Sequence, residues 1–252
     1  MKILVDESLI SYAFPAVYAG FSGSKHDARV KSTFDTFDYI EPDVYIGDPN
    51  SLTEAVLKNL EERPHLRVCF LEKNKVHDGE HSNYKKVIDR LGNTPIWVSD
   101  SGCADIINYS KANFNPLYKS DVVSIEDIPI KQIEGLNVPD QYIMRIFSAE
   151  IINHSKFCGY VNPAIRKNIY KSSRLSLSVG DNIYNSIICD CFPTSIGSVL
   201  EDLNSDVSSE LKILKEEVLA SRTNFHVLSS VLEYLNLDKE SKIIKDKLKE
   251  LI

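Results

Sequence analysis

Short apolar runs alternate with segments of helical period over residues 1–130, and that alternation restricts the fold more than any other feature of the chain. KILV (2–5), DVYIG (43–47), HLRVCFLE (65–72), PIWVSD (95–100) and DVVSI (121–125) read as strands. Between them, SLTEAVLKNLEE carries Leu52, Ala55, Val56 and Leu60 on one helical face, with Ser51 as its N-cap. NYKKVIDRLGN sets Tyr84, Val87, Ile88 and Leu91 on one face and stops at Gly92. Strands separated by helices pair in parallel, because a crossover is long enough to return the chain to the same edge of the sheet. The expectation is an α/β domain.

A second series follows. YIMRIFS (142–148) reads as a strand, VNPAIRKNIYKSS as a helix, RLSLSVG as a strand, and IYNSIICDCF as a helix or a strand. VSSELKILKEEVLA, HVLSSVLEYLNL and KESKIIKDKLKELI then read as three helices that pack on the sheet or cross back between the halves. EGLNVPD marks a soft boundary. The predicted architecture is two Rossmann-like α/β domains, residues 1–135 and 136–252, facing a cleft, with a helical C-terminal tail. In such sheets a ligand sits beyond the carboxyl ends of the strands.

With 252 residues, 43% of them hydrophobic, the chain can build a sizeable core. Its net charge of −7 argues against gripping nucleic acid through bulk charge, although a local basic groove stays open. No apolar run approaches a membrane span, and MKILVDES is too short and too soon acidic for a signal peptide. Cys69, Cys103, Cys158, Cys189 and Cys191 sit mostly in apolar runs. The expectation is a soluble cytoplasmic protein with reduced, buried thiols. No Walker loop, GxGxxG or GxSxG is present. AGFSGSK (19–25) cradles a phosphate only if it opens a helix, and otherwise forms a loop. HDGEH (77–81) places two His four apart, but Gly79 favours a solvated loop over a metal site.

Carboxylates follow several strands: Asp6 and Glu7, then Glu72, then Asp100. At such a position a carboxylate either deprotonates an acceptor hydroxyl or caps the next helix. Glu72 and Asp100 are the catalytic candidates. In the second half Arg145, His154 and Lys156, followed by Arg166, Lys167, Lys171 and Arg174, either neutralise a diphosphate or ride on a solvated helix face.

FCGYVNPAIRKNIYKSSRLSLSVGDNIYNSIICDCFPT resembles the C-terminal domain of GT-B glycosyltransferases, in particular the spore-coat CgeB-like group and the phage DNA glucosyltransferases. SRTNFHVLSSVLEYL resembles a helix near that family's C-terminus, and FDYIEPDVYIGD its strand leading to the acceptor crevice. The likeness covers less than half of the chain. It implies transfer of a sugar from a nucleotide-sugar co-substrate to an acceptor hydroxyl, on a glycan or on modified DNA, with no cofactor and no metal. Arg145, His154 and Asn182 would then face the departing diphosphate, Ser173 and Asn185 would contact ribose or sugar, and Asp181 would belong to the same donor-binding corner. With Asp190 at the family's Gly position, Asn185 stands where the family has a ribose-binding Glu, and Asn182 where it has a phosphate-facing Arg. Asn bonds a hydroxyl but brings no charge. The alternative is therefore a non-catalytic nucleotide- or sugar-binding module on a reduced GT-B fold.

Overall fold

The computed structural model describes residues 1–9, 14–21, 26–31, 36–72, 82–92, 94, 96–98, 103–109, 120–124, 155–157, 163–177, 181–195 and 198–252. It is a mixed α/β protein, with two small parallel sheets among the described residues. Its contacts form two compact units: Met1–Gly102 together with Asn224–Ile252, and Cys103–Thr223. The expected boundary at 135/136 falls outside the described residues. The contacts divide the chain at 102/103 instead, and its last helices belong to the first unit.

In the first unit, β1 (Lys2–Asp6), α1 (Phe14–Phe21), β2 (Asp27–Lys31), α2 (Thr36–Ile40), β3 (Val44–Gly47), α3 (Glu54–Glu61), β4 (Arg67–Glu72), α4 (Ser82–Leu91) and β5 (Ile96–Val98) follow one another. The strand order is β2-β1-β3-β4-β5, every pair parallel. Ile3, Leu4 and Val5 of β1 are all fully buried, and so are Val44, Tyr45 and Ile46 of β3. A parallel sheet covered on both faces needs such unbroken apolar runs rather than alternation. Leu4, Tyr45, Phe70, Val56, Leu60 and Val87 meet in one core.

Two expected details change. The N-cap of α3 is Thr53, whose hydroxyl oxygen accepts from the Val56 N–H at 3.3 Å. Ser51 lies in a 3-10 turn and serves elsewhere. On α4, Val87 is buried but Ile88 is 59% exposed, so the apolar stripe is narrower than its sequence pattern. Gly92 ends that helix at φ +62°, the left-handed conformation that favours glycine. Of AGFSGSK, Ala19, Gly20 and Phe21 are the last residues of α1, and residues 22–25 lie outside the described residues.

The second unit contains α5 (Ile106–Tyr109), β6 (Ser120–Ser124), β7 (Ser155–Phe157), α6 (Pro163–Lys171), β8 (Ser173–Leu177), α7 (Asp181–Ile188), β9 (Phe192–Thr194), α8 (Val199–Asn204) and α9 (Ser208–Ser221). Its strand order is β7-β6-β8-β9, again all parallel. Lys156 lies in β7. Tyr170, Ile187, Ile188, Cys191 and Val218 form the core. Pro163 opens α6, where its missing N–H costs nothing. Asp190, at φ +61°, closes α7: its N–H bonds the Ile187 carbonyl at 3.0 Å, and Cys191 N–H bonds that of Ser186 at 3.0 Å. The first unit then resumes with α10 (Asn224–Tyr234) and α11 (Asp238–Leu251). Gly20 of α1 lies so close to α11 that a Cβ there would collide with Ile244.

Candidate functional site

From β1 the chain winds to β2 on one side, while β3 lies on the other. The crossovers diverge at the β1–β3 gap, and in open α/β sheets ligands sit beyond the carboxyl ends of the strands at such a point. Asp6 ends β1 and Asp48 follows β3. They are only 6% and 5% exposed.

Asp6 is the hub of a hydrogen-bond network. Its Oδ1 accepts from the Ser8 N–H at 3.0 Å, the Ser8 hydroxyl at 2.8 Å and the Ser51 hydroxyl at 3.0 Å. Its Oδ2 accepts from the hydroxyl of fully buried Tyr45 at 3.0 Å. Asp48 Oδ1 accepts from the Asn50 N–H at 2.9 Å and caps the 3-10 turn Pro49–Ser51. The Ser51 N–H donates to the Asp48 carbonyl at 3.1 Å, so that turn is tied to both aspartates. Gly47 leaves room for this arrangement, since a Cβ would press on the rings of Tyr45 and Phe70.

Burial, then the charge of Asp6, holds the Tyr45 phenol well above its ordinary pKa, so it stays a donor. Burial also raises the Asp48 carboxyl. The Asn50 N–H partly offsets this, and the charge of Asp6 adds to it. Two carboxylates shielded from water repel a phosphate and favour a hydroxyl that can donate to them.

The residues singled out from the sequence are scattered. Glu72 ends β4 opposite Val98, and its side chain lies outside the described residues. Asp100, Arg145 and His154 lie outside them as well. Asp181 opens α7 just beyond the carboxyl end of β8, with Asn182 half-buried in the first turn. That corner lies beside the β6–β8 gap, where the crossovers of the second sheet diverge. Asn185, 7% exposed, accepts from the Asp105 N–H at 2.9 Å and ties α7 to the segment before α5. Ser173 starts β8 at its amino end, at the other end of the strand from Leu177, and donates to the Ile169 carbonyl at 2.8 Å.

The sequence matches no family model and no curated protein. The network itself gave a faint signal in VDES and GDPNS, where an apolar strand ends on an aspartate followed within three residues by a serine. Pairing the two segments required the strand order. Among the described residues no group of three or more His, Cys, Asp or Glu could hold a metal, and no helix is long and apolar enough to cross a membrane. HDGEH lies outside those residues. Cys69, Cys103, Cys189 and Cys191 are buried, and burial pushes the Cys189 thiol up to about 12.

Proposed function

We propose that the chain is a cytoplasmic GT-B-like glycosyltransferase that moves a sugar from a nucleotide-sugar to an acceptor hydroxyl, on a glycan or on modified DNA. The observation that carries this reading is the buried Asp6–Asp48 pair at the β1–β3 gap. Its negative charge suits a neutral hydroxyl acceptor and opposes a diphosphate. The first unit therefore takes the acceptor, and the second takes the donor beside Asp181 and Asn182. Three further features favour the reading. Both units are parallel α/β, the tail helices belong to the first unit, and Asp190 adopts a left-handed conformation where the resembled family has Gly.

One observation favours the second reading, a binding module without turnover. Ser173 and Asn185 both bond the scaffold, and Asn185 stands in place of a charged residue of the resembled family. Thermal-shift measurements with UDP, GDP and their sugars, followed by assay of sugar release, separate the two. The enzyme reading expects donor-dependent stabilisation with slow sugar release. Stabilisation by a nucleotide with no release from any donor makes the chain a module.

A further inference from the structure

The chain enters the second unit at Gly102/Cys103 and leaves it at Thr223/Asn224. Within that unit the entering and leaving segments run side by side. Ala104 and Thr223 form an isolated parallel bridge, and the Ala104 N–H donates to the Arg222 carbonyl at 2.8 Å. Ala104 and Thr223 are both fully buried. Helix α7 holds each segment through a different side chain. On the entering segment, the Asp105 N–H donates to Oδ1 of buried Asn185 at 2.9 Å. On the leaving segment, a guanidinium N–H of Arg222 donates to the Tyr184 hydroxyl at 3.3 Å, and the Arg222 Cζ lies 5.5 Å from the centre of that ring. The helix is itself fixed by Ile187 and Ile188, which share a core with Ala104 and Val218.

From this geometry we infer that α7 is a clamp that makes the two segments a single joint, with Asn185 as one jaw and the Tyr184–Arg222 pair as the other. A buried N–H whose acceptor is withdrawn has no water to turn to. The entering segment therefore cannot part from α7, or from the leaving segment, without stranding the Asp105 or the Ala104 donor. Release of one segment frees both, and the two open together as one local unit. The side-chain amide suits this place, because its oxygen accepts the Asp105 N–H and brings no charge into a site shielded from water. Asn185 is thus a positioning residue of the joint. The same helix opens with Asp181 and Asn182, so the joint and the proposed donor corner share one element. The clamp needs no ligand and stands apart from the glycosyl-transfer reading.

The test reads amide hydrogen exchange, residue by residue by NMR, in the full chain and in two variants that each touch one segment. Asn185→Ala removes the acceptor of the entering segment. It should lower protection about 10-fold at Asp105 and also at the Ala104 and Arg222 amides, which Asn185 does not bond. Arg222→Ala removes the other jaw at an exposed side chain, and it serves alone if Asn185→Ala does not fold. It should lower protection at Asp105 by a similar factor, although the Arg222 guanidinium reaches Tyr184 and not Asp105. Leu175 and Leu177 in β8 should keep their protection in both variants. Loss confined to the segment that each variant touches makes the two contacts independent and overturns the clamp. Equal loss in β8 makes Asn185 and Arg222 general supports of the second unit, which overturns it as well. Unchanged protection at Asp105 removes α7 from the joint.

Discussion

Asp48 holds its carboxylate where little water reaches it and beside a second carboxylate, an arrangement that costs stability whenever both are ionised. Its folded pKa is raised, so the folded state binds more proton than the unfolded chain does. The stability it contributes is therefore present at acid pH and is lost as pH rises through the folded value. Asp48→Asn should be more stable than wild type at pH 7, and the gap should close below pH about 4, near the pKa of an unfolded aspartate. Urea midpoints of both proteins between pH 4 and 8 check this; an equal difference at every pH rules the electrostatic cause out. Tyr45→Phe leaves Asp6 Oδ2 buried without its donor and should cost about 1–3 kcal/mol, read from denaturation midpoints at constant slope. Neither residue stood out in the sequence. Asp48 reads as part of the turn DPN, Tyr45 as one more apolar position of a strand, and Asp6 as one of several carboxylates at strand ends.

Elements with a strong period or an unbroken apolar run were legible from the chain: β1, β3, β4, α3, α4, α6, β8 and the long helices of the tail. The missed ones lack that signal. DARVK (27–31) forms the edge strand β2 with charged residues in alternation, as suits a strand with one free side. β7 (SKF) and β9 (FPT) have three residues each and, unlike the equally short β5 (IWV), no apolar run. Helix α1, FPAVYAGF, is apolar nearly all round and carries Pro15 in its first turn, so it shows no stripe. That same helix reverses a familiar rule. Gly→Ala inside a helix ordinarily stabilises by about 1 kcal/mol, but at Gly20 the new methyl would meet Ile244. Gly20→Ala should therefore destabilise by about 1–3 kcal/mol, measured as a lowered Tm. A raised Tm would mean that α1 and α11 part easily.

The first unit is discontinuous in sequence: it opens the chain and also closes it. Phe225, Leu228, Val231, Leu232 and Ile244 of α10 and α11 are buried, and α11 packs against α1. A chain ending at Thr223 should expose that surface. Hydrogen-exchange protection should then fall across β1, β3 and β4 while β6 and β8 keep theirs; equal loss in both sheets would mean that the units do not fold separately. The sequence alone determined the class of each long element, the parallel sense of the strands and the apolar burden of the tail, because periodicity, caps and crossover length act between near neighbours. Only the tertiary structure decided where the last two helices belong, that Thr53 rather than Ser51 caps α3, and that Asp6 and Asp48 share one hydrogen-bonded network. Strand order brings together residues some forty positions apart, and no local preference encodes which strands will be adjacent.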